Sequence, residues 1–100
     1  MRKYEIRYLP SAQEDLFEIL DYIKVDNPNA AIEFIKQIES EISKLASFPR
    51  MGVIPNDSQL QTSGYRMLVI DNYLVFYVVL NNVVEIRRVI HGKRRYSFLL

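Results

Sequence analysis

An alternation of apolar and polar residues opens the chain, and Pro10 ends it. This period of two is typical of a half-buried strand, so we assign residues 1–9 to a strand. The apolar residues then recur at helical spacing, which predicts two amphipathic helices. Asn27 and Pro28 join them as a capping side chain and a proline at the first helical position. Because the connection is so short, residues 11–48 should form an antiparallel helical hairpin.

Both predicted helices carry clear local signals. The first begins with a capping box, Ser11-x-x-Glu14, in which the serine oxygen accepts from an early helical amide and the glutamate reaches back. The apolar stripes of the two helices consist of Ala12, Leu16, Ile19, Leu20 and Ile23 in the first, and Ala31, Phe34, Ile35, Ile38, Ile42 and Leu45 in the second.

Periodicity disappears over residues 50–64, which are rich in glycine, proline and polar residues and are predicted to form a loop. Residues 65–90 then read as three short strands joined by the two-residue links Asp71-Asn72 and Asn81-Asn82. The middle strand, YLVFYVVL, is apolar on both faces, so Val75, Phe76 and Tyr77 should be among the most buried residues. The fold class is therefore α+β: an N-terminal strand, a helical hairpin and a three-stranded antiparallel meander.

Composition narrows the possible chemistry. The chain has 100 residues, enough for one domain (1–100) with one hydrophobic core. It has no cysteine and one histidine, which excludes thiol catalysis, disulfides and zinc sites built from thiolates or several histidines. An all-carboxylate magnesium site is not excluded in this way, but no acidic cluster for one is evident, so we expect no metal and no cofactor. No apolar run is long enough to span a bilayer and no signal peptide is evident, so we expect a cytoplasmic protein.

Charge is distributed unevenly, although the formal net charge is only +1. Residues 10–48 contain eight acidic residues and three lysines, whereas residues 85–100 contain five cations and one glutamate. A protein that binds phosphate backbones usually carries a larger overall surplus of cations. The basic segment 91–100, HGKRRYSFLL, is therefore the main candidate for chemistry or for docking.

Four stretches together resemble the RelE/ParE superfamily of bacterial type II toxins: NPNAA (27–31), LASFPRMG (45–52), the YRMLV and NYLVFY block (65–77) and RVIHGKRR (88–95). The resemblance covers nearly the whole chain. It implies a small toxin with a curved sheet cupped by two helices. It also implies an antitoxin partner whose extended segment wraps the toxin and blocks its activity in a hetero-oligomer.

The superfamily includes ribosome-dependent endoribonucleases, like RelE, and ParE-like proteins that act on DNA gyrase. Metal-free RNA cleavage needs a group to move a proton and cations around the phosphate. If the chain is a ribonuclease, its catalytic candidates are Arg66, His91, Arg94 and Tyr96. By resemblance, Arg66 and Arg94 match cationic positions of the RNA-cleaving relatives, but Leu74 stands where those relatives carry a phosphate-stabilising arginine.

The same basic residues also have simpler interpretations. His91 precedes a glycine at a strand end, which suits a packing or turn residue. Arg87 and Arg88 should point to opposite faces of a strand, so at most one of them joins a site with Arg66. The candidates for binding the target or the antitoxin are Arg87, Arg88, Lys93, Arg94 and Arg95.

Three hypotheses follow from the sequence. We favour a ParE-like toxin that binds and poisons DNA gyrase, since NPNAA and FPRMG resemble that branch more closely. The alternatives are a ribosome-dependent mRNA endoribonuclease and an inactive toxin that survives as an antitoxin-binding module. In each case we expect an antitoxin tail that alternates acidic and apolar residues and folds on the basic end and on grooves beside the hairpin.

Overall fold

A computed structural model describes residues 3–92, in which two helices cover one face of a four-stranded sheet. The predicted α+β order of strand, helical hairpin and meander is confirmed. In chain order the elements are β1 (Glu5–Tyr8), α1 (Pro10–Lys24), α2 (Pro28–Ser43), a 3-10 turn (Lys44–Ala46), α3 (Ser58–Thr62), β2 (Tyr65–Ile70), β3 (Tyr73–Leu80) and β4 (Val83–His91).

The sheet has the order β1-β4-β3-β2. β2, β3 and β4 form the antiparallel meander, and β1 pairs in parallel with the first half of β4. The links between the meander strands each begin with a residue of positive φ, 53° at Asp71 and 55° at Asn81. Aspartate and asparagine tolerate this conformation better than other side chains, so two residues suffice to reverse the chain.

The two helix starts differ from each other. Asn27 caps α2 as predicted, its Oδ1 accepting from the backbone N–H of Ala30 at 3.1 Å. The capping box predicted for α1 is wrong: Leu9 occupies the cap position and makes no side-chain cap. Ser11 instead donates its hydroxyl hydrogen to the backbone carbonyl of Arg87 at 2.8 Å, because the helix start lies against β4.

The residues predicted to form a loop, 50–64, contain the short helix α3. Asp57 caps it by accepting from the backbone N–H groups of Gln59 and Leu60. Five residues are too few to show a helical period in the sequence, which is why the pattern did not reveal this turn. Leu60, fully buried, attaches α3 to the sheet.

The sheet is buried on both faces. Val75, Phe76 and Tyr77 have no exposed surface, as predicted for the middle strand. The helix-side core lies between the sheet and the helices, and α3 helps to cover an outer core on the opposite face. The helix-side core includes Ala12, Ile19, Ile38, Ile42, Leu45, Leu68, Val75, Tyr77, Ile86 and Val89, and the outer core contains Leu60, Tyr65, Phe76, Val78 and Ile90.

Candidate functional site

A bulge in β4 determines where its two arginines lie. Phe76 of β3 is opposite Arg88, whereas the next residue, Tyr77, is opposite Ile86, so Arg87 is the extra residue on β4. β1 ends at this level, and the remaining edge of β4 is covered by α1 instead of by a strand. The bulge therefore separates Arg87 from Arg88 and presents Arg88 to α1.

Arg88 forms the main polar contact between the sheet and the helical hairpin. Its Nε and Nη2 donate to the carboxylate of Asp15 at 2.7 and 2.9 Å, and the same carboxylate accepts from the backbone N–H of Val89 at 2.8 Å. Asp15 is the buried charged residue among those described. The bidentate bond raises the pKa of Arg88 above its ordinary value, although partial burial opposes the rise.

Arg87 is engaged on the outer face of the sheet. It donates to Glu85 at 2.8 Å and to the Tyr65 hydroxyl at 3.3 Å, and its guanidinium lies 5.3 Å from the centre of the Tyr65 ring. Burial, the largest influence, lowers the pKa of Arg87, but the bonds to Tyr65 and Glu85 outweigh it and raise the pKa overall. The outer face thus holds this cation beside a carboxylate and a ring.

Arg66 lies on the helix-side face of β2 and binds the chain that follows α2. Its Nη1 donates to the backbone carbonyls of Arg50 at 3.2 Å and Gly52 at 3.0 Å. Opposite it in the sheet, the Tyr77 hydroxyl accepts from the backbone N–H of Gly52 at 3.0 Å. Burial raises the pKa of Tyr77, partly offset by the Gly52 N–H and by the charges of Arg66 and Arg50.

His91 ends β4 beside an aromatic cavity. Its ring meets the Tyr73 ring edge-on with centroids 5.3 Å apart, and Tyr73 in turn lies 5.3 Å from Phe34. Burial, followed by the neighbouring Tyr22, raises the pKa of Tyr73. The cavity has a volume of ≈ 540 Å³ and is lined by residues that include Tyr22, Ile23, Phe34, Asp71, Tyr73 and His91.

Leu74, at the position where a phosphate-stabilising arginine would be expected, is partly buried against the outer core. A Cβ added to Gly92 would lie 3.9 Å from its side chain, so Leu74 also borders the end of β4. The side chain therefore contributes packing on this face of the sheet.

The structure does not bring the described candidates together. Arg66 is opposite Tyr77 and His91 is opposite Tyr73, which places them about 13 Å apart along β3 and on opposite sides of it. Arg87 and Arg88 are held by different acidic partners. The other candidates, Lys93, Arg94, Arg95 and Tyr96, lie outside the described residues.

A second concave surface lies between the two long helices. This hairpin groove has a volume of ≈ 420 Å³ and is lined by Gln13, Leu16, Phe17, Leu20, Ile35 and Glu39. Phe17, one of the lining residues, has 67% of its surface exposed. The groove is thus apolar at its base and polar at its rim.

The sequence did not indicate polar contacts for the Asp15 carboxylate or the Tyr77 hydroxyl, yet both organise this region. Asp15 had a detectable signal, because it lies three residues after Ala12 and four before Ile19 and so falls on the apolar stripe of α1. A carboxylate in such a position needs a buried partner. For Tyr77 no sequence signal indicated that its hydroxyl would meet Gly52, which lies 25 positions earlier in the chain.

Within residues 3–92 no helix is both long and apolar enough to cross a membrane. The same part of the chain contains no group of three or more histidine, aspartate or glutamate side chains placed to hold a metal ion.

Solved structures of toxin–antitoxin systems share this fold. A chain of the chromosomal ParDE system from P. aeruginosa superposes with a TM-score of 0.74 at 18% sequence identity, covering 89% of this chain and 96% of that one. A chain of the RelBE2 toxin–antitoxin complex from Mycobacterium tuberculosis gives a TM-score of 0.59 at 24% identity, covering 91% of this chain and 93% of that one. At these identities the likeness is one of fold.

The sheet cupped by a helical hairpin thus defines a small toxin of the RelE/ParE superfamily. The family model described as the ParE toxin of the type II toxin-antitoxin system parDE matches residues 6–96. The chain belongs to this ParE toxin family. No curated protein sequence is significantly similar to it.

Proposed function

We propose that this protein is a growth-arresting toxin that binds and poisons DNA gyrase. The observation that carries the proposal is the placement of its cations. Arg66 is bonded to backbone carbonyls, Arg87 to Glu85 and Tyr65, and Arg88 to Asp15. A phosphoryl-transfer site needs several donors that converge on one position, and these three guanidiniums are directed to three different places. This arrangement supports protein binding rather than RNA cleavage.

The proposed partner in the resting state is an antitoxin with an acidic and apolar tail. The hairpin groove offers a concave apolar base for the apolar residues of the tail. The acidic residues would pair with Lys93, Arg94 and Arg95, because Arg87 and Arg88 are already bonded to carboxylates. Such a tail would fold on binding, and it would inhibit the toxin without any cofactor.

Ribosome-dependent mRNA cleavage is the second candidate function. The observation that favours it is the position of His91, whose ring borders the ≈ 540 Å³ cavity at the point where the basic segment begins. A histidine that lines a cavity and directly precedes a basic stretch of the sequence can move a proton near a phosphate. In that case Arg66 would act elsewhere, because it lies on β2 at the other end of the paired strands.

The two functions differ in the process that stops first in a growing cell. We would express the toxin without antitoxin in the cytoplasm, where both targets lie, and follow DNA, RNA and protein synthesis separately. Gyrase poisoning predicts early loss of DNA synthesis, filamentation and a DNA-damage response. Messenger cleavage predicts immediate loss of translation, and an inactive toxin predicts normal growth.

A direct assay complements this experiment. Purified toxin should inhibit supercoiling by DNA gyrase and should leave messenger intact on stalled ribosomes. His91→Ala serves as the test variant: it should still inhibit gyrase, whereas a ribonuclease that uses His91 should lose about two orders of magnitude in cleavage rate. Cleaved messenger from the wild type that disappears in His91→Ala would replace the gyrase proposal with the ribonuclease.

A further inference from the structure

The segment that follows α2 presents large apolar side chains to solvent. In this display loop, residues 48–54, the exposed fractions are 59% for Phe48, 41% for Met51, 55% for Val53 and 54% for Ile54. The buried residues are instead small or compact: Pro49 and Gly52 within the loop, and Pro55 directly after it. Every third residue therefore anchors the segment, and the residues between them point outwards.

The display loop is also fixed in place by backbone hydrogen bonds. Arg66 binds the carbonyls of Arg50 and Gly52, and the buried Tyr77 hydroxyl binds the N–H of Gly52. Val53 pairs with Met67 of β2 through two backbone bonds of 2.9 Å. Two side chains, of Arg66 and Tyr77, and the backbone of Met67 thus hold the loop at Arg50, Gly52 and Val53.

The packing of the fold does not explain why this rigid loop exposes four large apolar side chains. Burial of those side chains would stabilise the fold, and polar residues at the same positions would cost the fold little stability. Rigid presentation does have a benefit in association, because side chains that are already ordered lose less conformational entropy when a partner binds them. Ordered and exposed apolar side chains of this kind are therefore typical of a protein-binding surface.

Charge indicates the nature of that partner. Residues 45–56 contain one cation, Arg50, whose side chain is exposed, and no acidic residue. The nearest carboxylate in the sequence, Asp57, is occupied as the cap of α3. The surface is thus apolar with a positive charge, and it complements an apolar pocket that is rimmed by carboxylates.

We propose that the display loop is the surface by which the toxin engages its protein target, inserting its apolar side chains into an apolar, acid-rimmed pocket. This inference rests on the proposed function, since it assumes a protein target. Position separates this surface from the antitoxin surface. The display loop follows α2 and exposes large apolar side chains, whereas the hairpin groove lies between α1 and α2. Arg66 is then a positioning residue that holds the loop by its carbonyls.

The test uses two double variants that make the same chemical changes at different places. Arg50→Glu with Ile54→Ser alters the display loop. Lys36→Glu with Ile32→Ser alters the exposed face of α2, where Ile32 is 52% exposed, so the changes in charge and apolar surface are matched. The full chain is expressed without antitoxin, surviving cells are counted, and the melting temperature of each purified protein is measured.

We expect the wild type and the α2 variant to arrest growth equally, and the loop variant to kill at least tenfold fewer cells with an unchanged melting temperature. Full toxicity of the loop variant overturns the inference and leaves the proposed function standing. A non-toxic wild type overturns both. A loop variant that stays toxic but is no longer neutralised by the cognate antitoxin would assign the loop to the antitoxin and overturn the inference.

If the loop variant melts at a lower temperature, Val53→Thr with Met51→Gln provides a second pair of changes that keeps the side-chain shapes. A loss of killing with this variant, at an unchanged melting temperature, supports the inference as well. Killing at the wild-type level overturns it.

Discussion

The close approach of Gly52 to Tyr77 shows how a single contact fixes the position of the display loop. A Cβ at residue 52 would lie 2.5 Å from the Tyr77 hydroxyl oxygen, 2.8 Å from its Cε1 and 3.0 Å from the carbonyl oxygen of Met67. Real Cβ atoms do not approach other atoms this closely, and Tyr77 is fully buried, so its ring has no free space to move into. Only glycine fits here.

Gly52→Ala should therefore lower the free energy of unfolding by about 1–3 kcal/mol, because the added methyl group must displace the Tyr77 ring or the loop. Urea denaturation measures the change. In a Tyr77→Phe background the same substitution should cost less, since the hydroxyl that lies nearest is gone. An equal cost in both backgrounds would show that the hydroxyl is not the limiting contact.

Asp15 makes three hydrogen bonds that join α1 to the edge of β4. Asp15→Ala should cost about 3 kcal/mol of unfolding free energy, because it removes the carboxylate from Arg88 and the acceptor from the buried N–H of Val89. Glu33→Ala, at an exposed acid on α2, is the control and should stay within about 0.5 kcal/mol of the wild type. Similar costs for the two variants would contradict a special role for Asp15.

At the scale of residues, the sequence predicted burial better than it predicted polar contacts. Alternation and period identified Val75, Phe76 and Tyr77 as core residues, because hydrophobic pattern reports which face of an element is covered. The partner of Ser11 was not predictable in this way. The Ser11 hydroxyl could cap the helix locally, but it donates instead to the carbonyl of Arg87. That carbonyl lies 76 positions away and comes close only in the folded chain.

At the scale of elements, β1 links the sheet to the helical hairpin through Tyr8. Burial raises the pKa of Tyr8 to about 12, with a smaller contribution from Glu39 of α2. The unfolded chain has the ordinary tyrosine value of 10.0. Below that pH both states keep the proton, but at higher pH the unfolded state ionises first and is favoured.

The folded state should consequently lose stability as the pH rises from about 10 towards 12, and Tyr8→Phe should make this loss smaller. Urea midpoints at pH 9 and pH 11 measure the difference for each protein. Tyr22→Phe, which removes a phenol that is 77% exposed, is the control. An alkaline loss that is the same in Tyr8→Phe and the wild type would exclude Tyr8 as its source.

The arrangement of the elements was only partly predictable. Short links with residues that accept positive φ determine the β2-β3-β4 meander, and these are local signals. The parallel pairing of β1 with β4 and the bulge at Arg87 depend on contacts between distant parts of the chain. For that reason the sequence did not indicate Tyr65 and Asp15 as the partners of Arg87 and Arg88.

At the scale of the whole molecule, charge and shape divide the surface into regions with different uses. The helical hairpin is acidic and carries a concave groove, the display loop exposes apolar side chains and carries Arg50, and the chain ends in a basic segment. An antitoxin tail that alternates acidic and apolar residues matches the groove and the basic segment together. A target with an acidic pocket matches the display loop. Inhibition and toxicity should then respond to different substitutions.

Charge reversal of the basic segment tests this division. Arg94→Glu with Arg95→Glu should weaken binding of the cognate antitoxin by about tenfold or more, because each acidic residue of the tail then meets a like charge. The remaining affinity should depend less on salt, since fewer opposite charges attract. Titration calorimetry at low and high salt measures both effects.

Arg50→Glu with Ile54→Ser is the matched comparison, because it alters the display loop and leaves the groove and the basic segment intact. This variant should bind the antitoxin with wild-type affinity at both salt concentrations. In cells, the antitoxin should still neutralise any toxicity that the variant retains. Unchanged affinity of the Arg94 and Arg95 variant at low salt would remove the basic segment from the antitoxin surface. The hairpin groove would then have to supply the binding energy through apolar contacts, and Phe17→Ser would become the substitution that weakens the complex.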